Sequence, residues 1–364
     1  MTPTQSPPGP ADRHGPVRRT GAGRSVAVLV LVALAALVPL LGPSAALHGT
    51  GEAEAPGAGG IALLRTVLFA ALCIPVGELF VNRLARSLPG TGAGPGPDAE
   101  PGAGTEPGSG TGTVTGQYPV VPCSWSPFAA AAGFVAALGL ATVVATGNVV
   151  PGGVSDIDIG GLYSSRDGKL ALLEVNAFLA AGLCAASRRP VTQVWPLAAV
   201  VVAEALRVHP TTEHTPLTGT GLTLVHLTCA ALWAGGLLHA LRVLRLWHGR
   251  PDAAAGAALL GLYARVAVVL LAAITATGVC SSLRRMPPET IPEQLTGTAY
   301  GRVLLAKVLL VAVVAALAVW ARRRLHRAAD PLTACAPARA EVVALGLAVA
   351  VSGVLTALPA PIRW

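Results

Sequence analysis

An imidazole and a thiol stand three residues apart in the apolar string LTLVHLTCAALWAGGLLHALRVL, residues 222–244: His226 and Cys229. On a helix turning about 100° per residue they share one stripe with Trp233 and Gly236. Together they can coordinate a soft d-block cation such as Cu(I), whereas a hard ion would need several oxygens. The structural alternative is an interior histidine bonded to a neighbouring helix, with the cysteine as small apolar filler. Gly235 and Gly236, beside Trp233, let a second helix approach closely.

Further polar groups interrupt or flank other apolar blocks. Glu174 and Asn176, Glu204 and Arg207, and Lys307 lie near the same ends of their blocks, and the segment HPTTEHTP adds His209, Glu213 and His214. With Asp156, Asp158, Cys280 and Met286 they can form a polar vestibule that admits a cation, with His209, His214 and Glu204 as further candidates to receive it. For Arg207, Lys307 and Arg302 the plainer reading is snorkelling to lipid headgroups. Glu78 reads as structural, within reach of Asn82 or Arg83. His239 follows His226 by 13 residues, which raises haem ligation. Thirteen steps of a straight helix, however, leave the two rings about 140° apart, and the remaining histidines fall in loops, at helix ends or in the N-terminal tail. No nucleophile elbow, P-loop, HExxH or dinucleotide fingerprint is present, so the expected role is not enzymatic and any transport is not driven by ATP hydrolysis in this chain.

These residues must be positioned by membrane helices. Of 364 residues 53 % are hydrophobic and only 12 % charged, and the mean hydropathy is +0.62. A soluble chain carries about 25 % charged residues, so soluble enzyme folds are excluded. The fold class is an all-α polytopic bundle of about nine transmembrane helices (range 8–9), predicted over 26–47, 61–81, 128–150, 170–186, 191–206, 222–241, 259–279, 303–320 and 342–358. Residues 1–25 form a basic tail and 26–88 a two-helix N-terminal module. The Gly/Pro-rich stretch 89–122 cannot bury a core and reads as a disordered linker. Residues 123–364 form a seven-helix body. Placing the N-terminus inside puts 17 of the 26 Lys and Arg residues on the inner side, which supports an N-in, C-out orientation. The net charge of +8 is thus topology signal and not a nucleic-acid footprint. The first helix, followed by Pro43-Ser44-Ala45-Ala46, also reads as a cleavable signal peptide, though its apolar run is long for one. Six Cys without a CxxC pair suggest buried thiols and no disulfide framework.

The string HLTCAALWAGGL, His226 to Leu237, resembles the His, small residues, Trp, x, Gly, Gly, Leu segment of the copper-resistance D (CopD) family of bacterial inner-membrane proteins. Arg265 opens a helix ending at Thr277-Gly278. Beyond it come Thr298-Ala299-Tyr300-Gly301-Arg302, Leu304-Leu305-Ala306-Lys307, Ala321-Arg322-Arg323-Arg324-Leu325 and the closing Gly353-Val354-Leu355-Thr356-Ala357-Leu358-Pro359-Ala360-Pro361, all similar to the same family. The likeness is good from about Thr215 onward and extends back to Phe128. It implies a multi-pass plasma-membrane protein for copper uptake and copper tolerance, with His226 as the family's helix histidine and Trp233, Gly235 and Gly236 as its packing signature. Cu(I) is favoured if Cys229 takes part, whereas imidazoles and carboxylates also suit Cu(II). The implied partners are the lipid bilayer and an extracytoplasmic copper-binding protein. Met occurs only at Met1 and Met286, unlike the Met-rich segments of many copper-handling proteins. A non-transporting copper sensor or assembly partner and, at lower weight, a haem-binding electron carrier remain the alternatives.

Overall fold

Blocks of Ala, Leu and Val satisfy their backbone groups internally, and in the computed structural model every regular element is a helix among the described residues. The structure describes residues 21–53, 55–88, 122–147, 153, 157–209, 215–247, 253–286, 288–327 and 335–359. Most of the predicted tail, nearly all of the predicted linker and His214 lie outside them.

The helices are α1 (Gly21–Leu47), α2 (Ala58–Arg86), α3 (Ser126–Ala145), the short α4 (Ile159–Ser164), α5 (Arg166–Ala186), α6 (Val194–Val208), α7 (Pro216–Trp247), α8 (Ala253–Arg285), the short α9 (Ile291–Gly297), α10 (Ala299–Arg327) and α11 (Cys335–Ala357). Eight of them, α2, α3, α5, α6 with the turn before it, α7, α8, α10 and α11, are long and apolar enough to cross a bilayer. In α1 the described apolar stretch is Ala33–Leu47. Several helices outrun the predicted spans. α7 has 32 residues, about 48 Å at 1.5 Å per residue against a hydrocarbon core of about 30 Å. Hydropathy marks only the part in lipid, while the hydrogen-bond ladder continues into the polar flanks. Elsewhere a cap fixes the boundary: the Ser165 hydroxyl accepts from the Gly168 amide at the start of α5, 3.0 Å away.

α2 occupies the middle of the bundle, packing against α1, α3, α7 and α11, with lesser contacts to α6 and α8. Its sequence partner in the predicted N-terminal pair, α1, lies against α2 and also against α11 and α10. Glycines set the closest approaches. A Cβ on Gly77 would collide with the Gly235 backbone and one on Gly235 with the Cys73 carbonyl, so α2 and α7 touch backbone to backbone. On the bundle exterior Phe128, Leu183, Trp195 and Val269 are each more than 60 % exposed, as expected for side chains solvated by lipid.

A polar cavity within the helix bundle

The bundle has two chemically distinct ends. At one, here the Glu78 end, Glu78 takes the N-terminus of α3: it accepts hydrogen bonds from the Ser124 hydroxyl (2.7 Å), the Trp125 amide (2.7 Å), and both the Ser126 amide (3.2 Å) and hydroxyl (2.6 Å). Arg242 on α7 pairs with the same carboxylate at 2.8 Å and stacks over Trp125, 3.7 Å from the ring centroid. The expected contacts of Glu78 with Asn82 or Arg83 are replaced by these, because exposed backbone N–H groups at a helix start attract a carboxylate more strongly than a neighbour on its own helix. Asn82 bonds His239 instead, at 3.2 Å.

The opposite, Glu204 end, combines the N-termini of α2, α5, α7 and α10 with the C-termini of α6, α8 and α11. Here Glu204 is bonded by both Arg65 and Arg207, and Arg207 also pairs with Glu174 at 2.9 Å. Glu174 is fully buried and Glu204 almost so. Arg207 is therefore a partner in a buried ion network and does not snorkel. Arg65 could not be foreseen from spacing, since the pair spans 139 residues. Arg65 Nε, Arg207 Nε and Nη2, and Glu174 Oε1 make no hydrogen bond among the described residues, leaving this network capacity for water or a ligand.

Beside the network lies a cavity of about 200 Å³ between α2, α6, α7, α8, α10 and α11, whose polar lining includes Glu204, Thr223, His226, Lys307, Ser352 and Cys73. His226 Nδ1 is 3.0 Å from the Thr277 hydroxyl of α8, and that hydroxyl donates to the Ala273 carbonyl at 2.7 Å. With its hydrogen spent on the carbonyl, Thr277 accepts from Nδ1–H. The neutral imidazole consequently carries its lone pair on Nε2, the tautomer a metal ligand needs. Thr277 was not singled out in the sequence, because nothing in an apolar helix marks one threonine as a histidine's partner.

His209 is buried and does not line the cavity, but its Nε2 is 2.9 Å from the hydroxyl of Thr223, which does. Cys229 packs with the apolar cluster around Trp233 and Leu237 and is absent from the cavity wall, so the structure does not bring it to His226 there. Cys73 of α2 takes the thiol position in the wall. Trp233 is buried, and Gly236 lies under the rings of Tyr263 and Phe80. Among the described residues no three His, Cys, Asp or Glu side chains converge as a metal-holding group. The site thus offers one well-oriented imidazole and a charge set of three cations, Arg65, Arg207 and Lys307, against two carboxylates, Glu174 and Glu204.

Residues 257–358, which take in nearly all of α8, the whole of α9 and α10, and α11, match the family model of copper resistance protein D, CopD. The matched segment includes Thr277, Lys307 and the α11 wall of the cavity, and α7 with His226 lies before it. No curated protein and no solved structure matches the chain.

Proposed function

We propose that this protein, a CopD-family membrane protein of copper resistance by its C-terminal segment, takes up copper across the plasma membrane through the His226 cavity. The observation that carries the reading is the lock between the two parts of the chain: Thr277, inside the CopD segment, fixes the His226 imidazole with Nε2 as its acceptor atom. Cu(I) suits the cavity better than Cu(II). Both carboxylates are engaged by arginines, so each added positive charge meets uncompensated repulsion, and a singly charged ion incurs half of it. A soft ion also gains most from imidazole and thiol donors. The role is binding and passage of an ion, with no chemical transformation.

In this reading the Glu204 end faces outward, where an extracytoplasmic copper-binding protein would deliver the ion. The Arg-rich Glu78 end, with Arg83, Arg86, Arg188, Arg189, Arg242 and Arg245, faces the cytoplasm. The test is Cu(I) uptake into proteoliposomes. Wild type is expected to load copper well above empty vesicles and His226→Ala to lose most of that flux. Binding of copper without flux would favour a sensor or assembly role, and a wild type that neither binds nor carries copper would end the copper reading.

A further inference from the structure

α6 makes only lesser contacts with α2, and the space left between them, with α7 behind it, is a groove of about 630 Å³. Its lining is apolar except for Thr228, Arg83 and Arg86. The Thr228 hydroxyl is spent on the Leu224 carbonyl of its own helix, 2.8 Å away, so the two arginines are the groove's available polar groups. Leu197 and Ala231 in its wall are buried, whereas Val191, Val194 and Val202 are exposed. The groove is therefore open along one side to the bundle exterior, where acyl chains are the solvent. Along α2 its wall runs from Val76 to Arg86, about 15 Å at 1.5 Å per residue and half of a hydrocarbon core of about 30 Å. That is the depth of one leaflet, with the charge at the Glu78 end.

Arg83 and Arg86 are exposed and make no ion pair among the described residues. The other arginines of the bundle differ: Arg65 and Arg207 are paired with buried carboxylates, and Glu78, the carboxylate nearest in sequence, is taken by Arg242. Arg86 Nε donates to the Asn82 carbonyl at 3.2 Å, which fixes the side chain and leaves its terminal nitrogens to an external acceptor. Arg188 and Arg189, both exposed, immediately precede the turn that carries Val191 into the groove wall. A guanidinium presents two parallel N–H donors to a phosphate, and basic pockets between membrane helices are favourable sites for anionic headgroups. A zwitterionic headgroup would bring its own ammonium against the same arginines.

We propose that this groove is a binding site for an anionic phospholipid, with its phosphate held by Arg83 and Arg86 and an acyl chain laid between α2 and α6. In the orientation above it is a lipid of the inner leaflet. Ala231 lines both this groove and the His226 cavity, so the bound chain backs directly onto the cavity wall. The lipid site stands whether or not copper passes that cavity.

The experiment titrates the full chain in detergent with palmitoyl-oleoyl phosphatidylglycerol or with phosphatidylcholine of the same chains, and counts bound lipid by native mass spectrometry. Wild type is expected to hold phosphatidylglycerol about tenfold tighter or more. Arg83→Gln with Arg86→Gln should weaken phosphatidylglycerol about ten- to thirtyfold and erase the preference, the scale of two basic side chains at a membrane surface. Ala198→Phe, which fills the groove without removing a charge, should weaken both lipids. Arg245→Gln with Arg323→Gln removes two exposed charges at the same end from outside the groove, and should leave both affinities unchanged. Melting temperatures near the wild-type value in lipid-free detergent show that each variant is folded. Equal affinity of wild type for the two lipids would overturn the proposal, as would wild-type phosphatidylglycerol binding in Ala198→Phe. An equal loss in the Arg245 and Arg323 variant would reduce the effect to general surface charge and overturn it too.

Discussion

At the scale of single residues, the decisive feature is how His226 is held. A histidine in an apolar helix has two nitrogens, and only the partner of one determines what the other can do. Thr277 supplies that partner, so Thr277→Val should leave the bundle intact and weaken Cu(I) binding by roughly ten- to a hundredfold, the usual cost of losing an outer-shell bond to a ligating histidine. Thr277→Ser should bind nearly as wild type. Chelator competition reads both, and equal affinity in Thr277→Val would show that the contact only packs α7 against α8. His226 itself was legible in the sequence as a lone imidazole on an apolar stripe. Thr277 and Arg65 were not, because their partners lie 51 and 139 residues away. Cys229 shows the converse: it shares the His226 stripe in sequence, yet it packs with the apolar cluster that includes Leu237 and Tyr263 and is absent from the cavity wall.

Among elements, the contact between α2 and α7 matters most, since these helices carry Cys73 on one side of the cavity and His226 on the other. The approach depends on Gly77 and Gly235 lacking a Cβ. Gly235→Ala would press a methyl into the Cys73 carbonyl and should cost about 1–3 kcal/mol, the range for overpacking. Gly60, in the first turn of α2, has nothing within 4 Å of a built Cβ. Gly60→Ala should be neutral or stabilising by up to about 1 kcal/mol, from its higher helix propensity. Thermal unfolding in detergent compares the two, and equal melting temperatures would contradict the tight crossing. Paired glycines announced a close helix neighbour in the sequence, but not which helix it would be. The Glu78 capture of α3 was equally hidden, because the segment it binds follows the Gly/Pro-rich stretch by only a few residues and nothing local points back to α2.

For the whole molecule, the proposed orientation rests on the distribution of arginines and lysines, and α5 offers a direct test because both of its flanks are exposed. On a background lacking the native cysteines, Ser164→Cys at the Glu204 end should react with a membrane-impermeant thiol reagent added outside intact cells. Ser187→Cys at the Glu78 end should react only after permeabilisation. The reverse pattern would turn the transport direction around.

The sequence by itself determined the solvent and the class of fold: too few charges to cover a soluble surface, and apolar blocks of spanning length whose backbones must close their hydrogen bonds as helices. It also determined which ends of the blocks carry polar groups, since that depends only on position along a helix. Only the tertiary structure decided which polar group meets which. Helix neighbours are chosen by shape at glycine contacts and by the need to neutralise buried charge, neither of which is a property of one segment. That choice tied Glu204 to two arginines, oriented His226 through Thr277, and left Arg83 and Arg86 lining an apolar groove between α2 and α6.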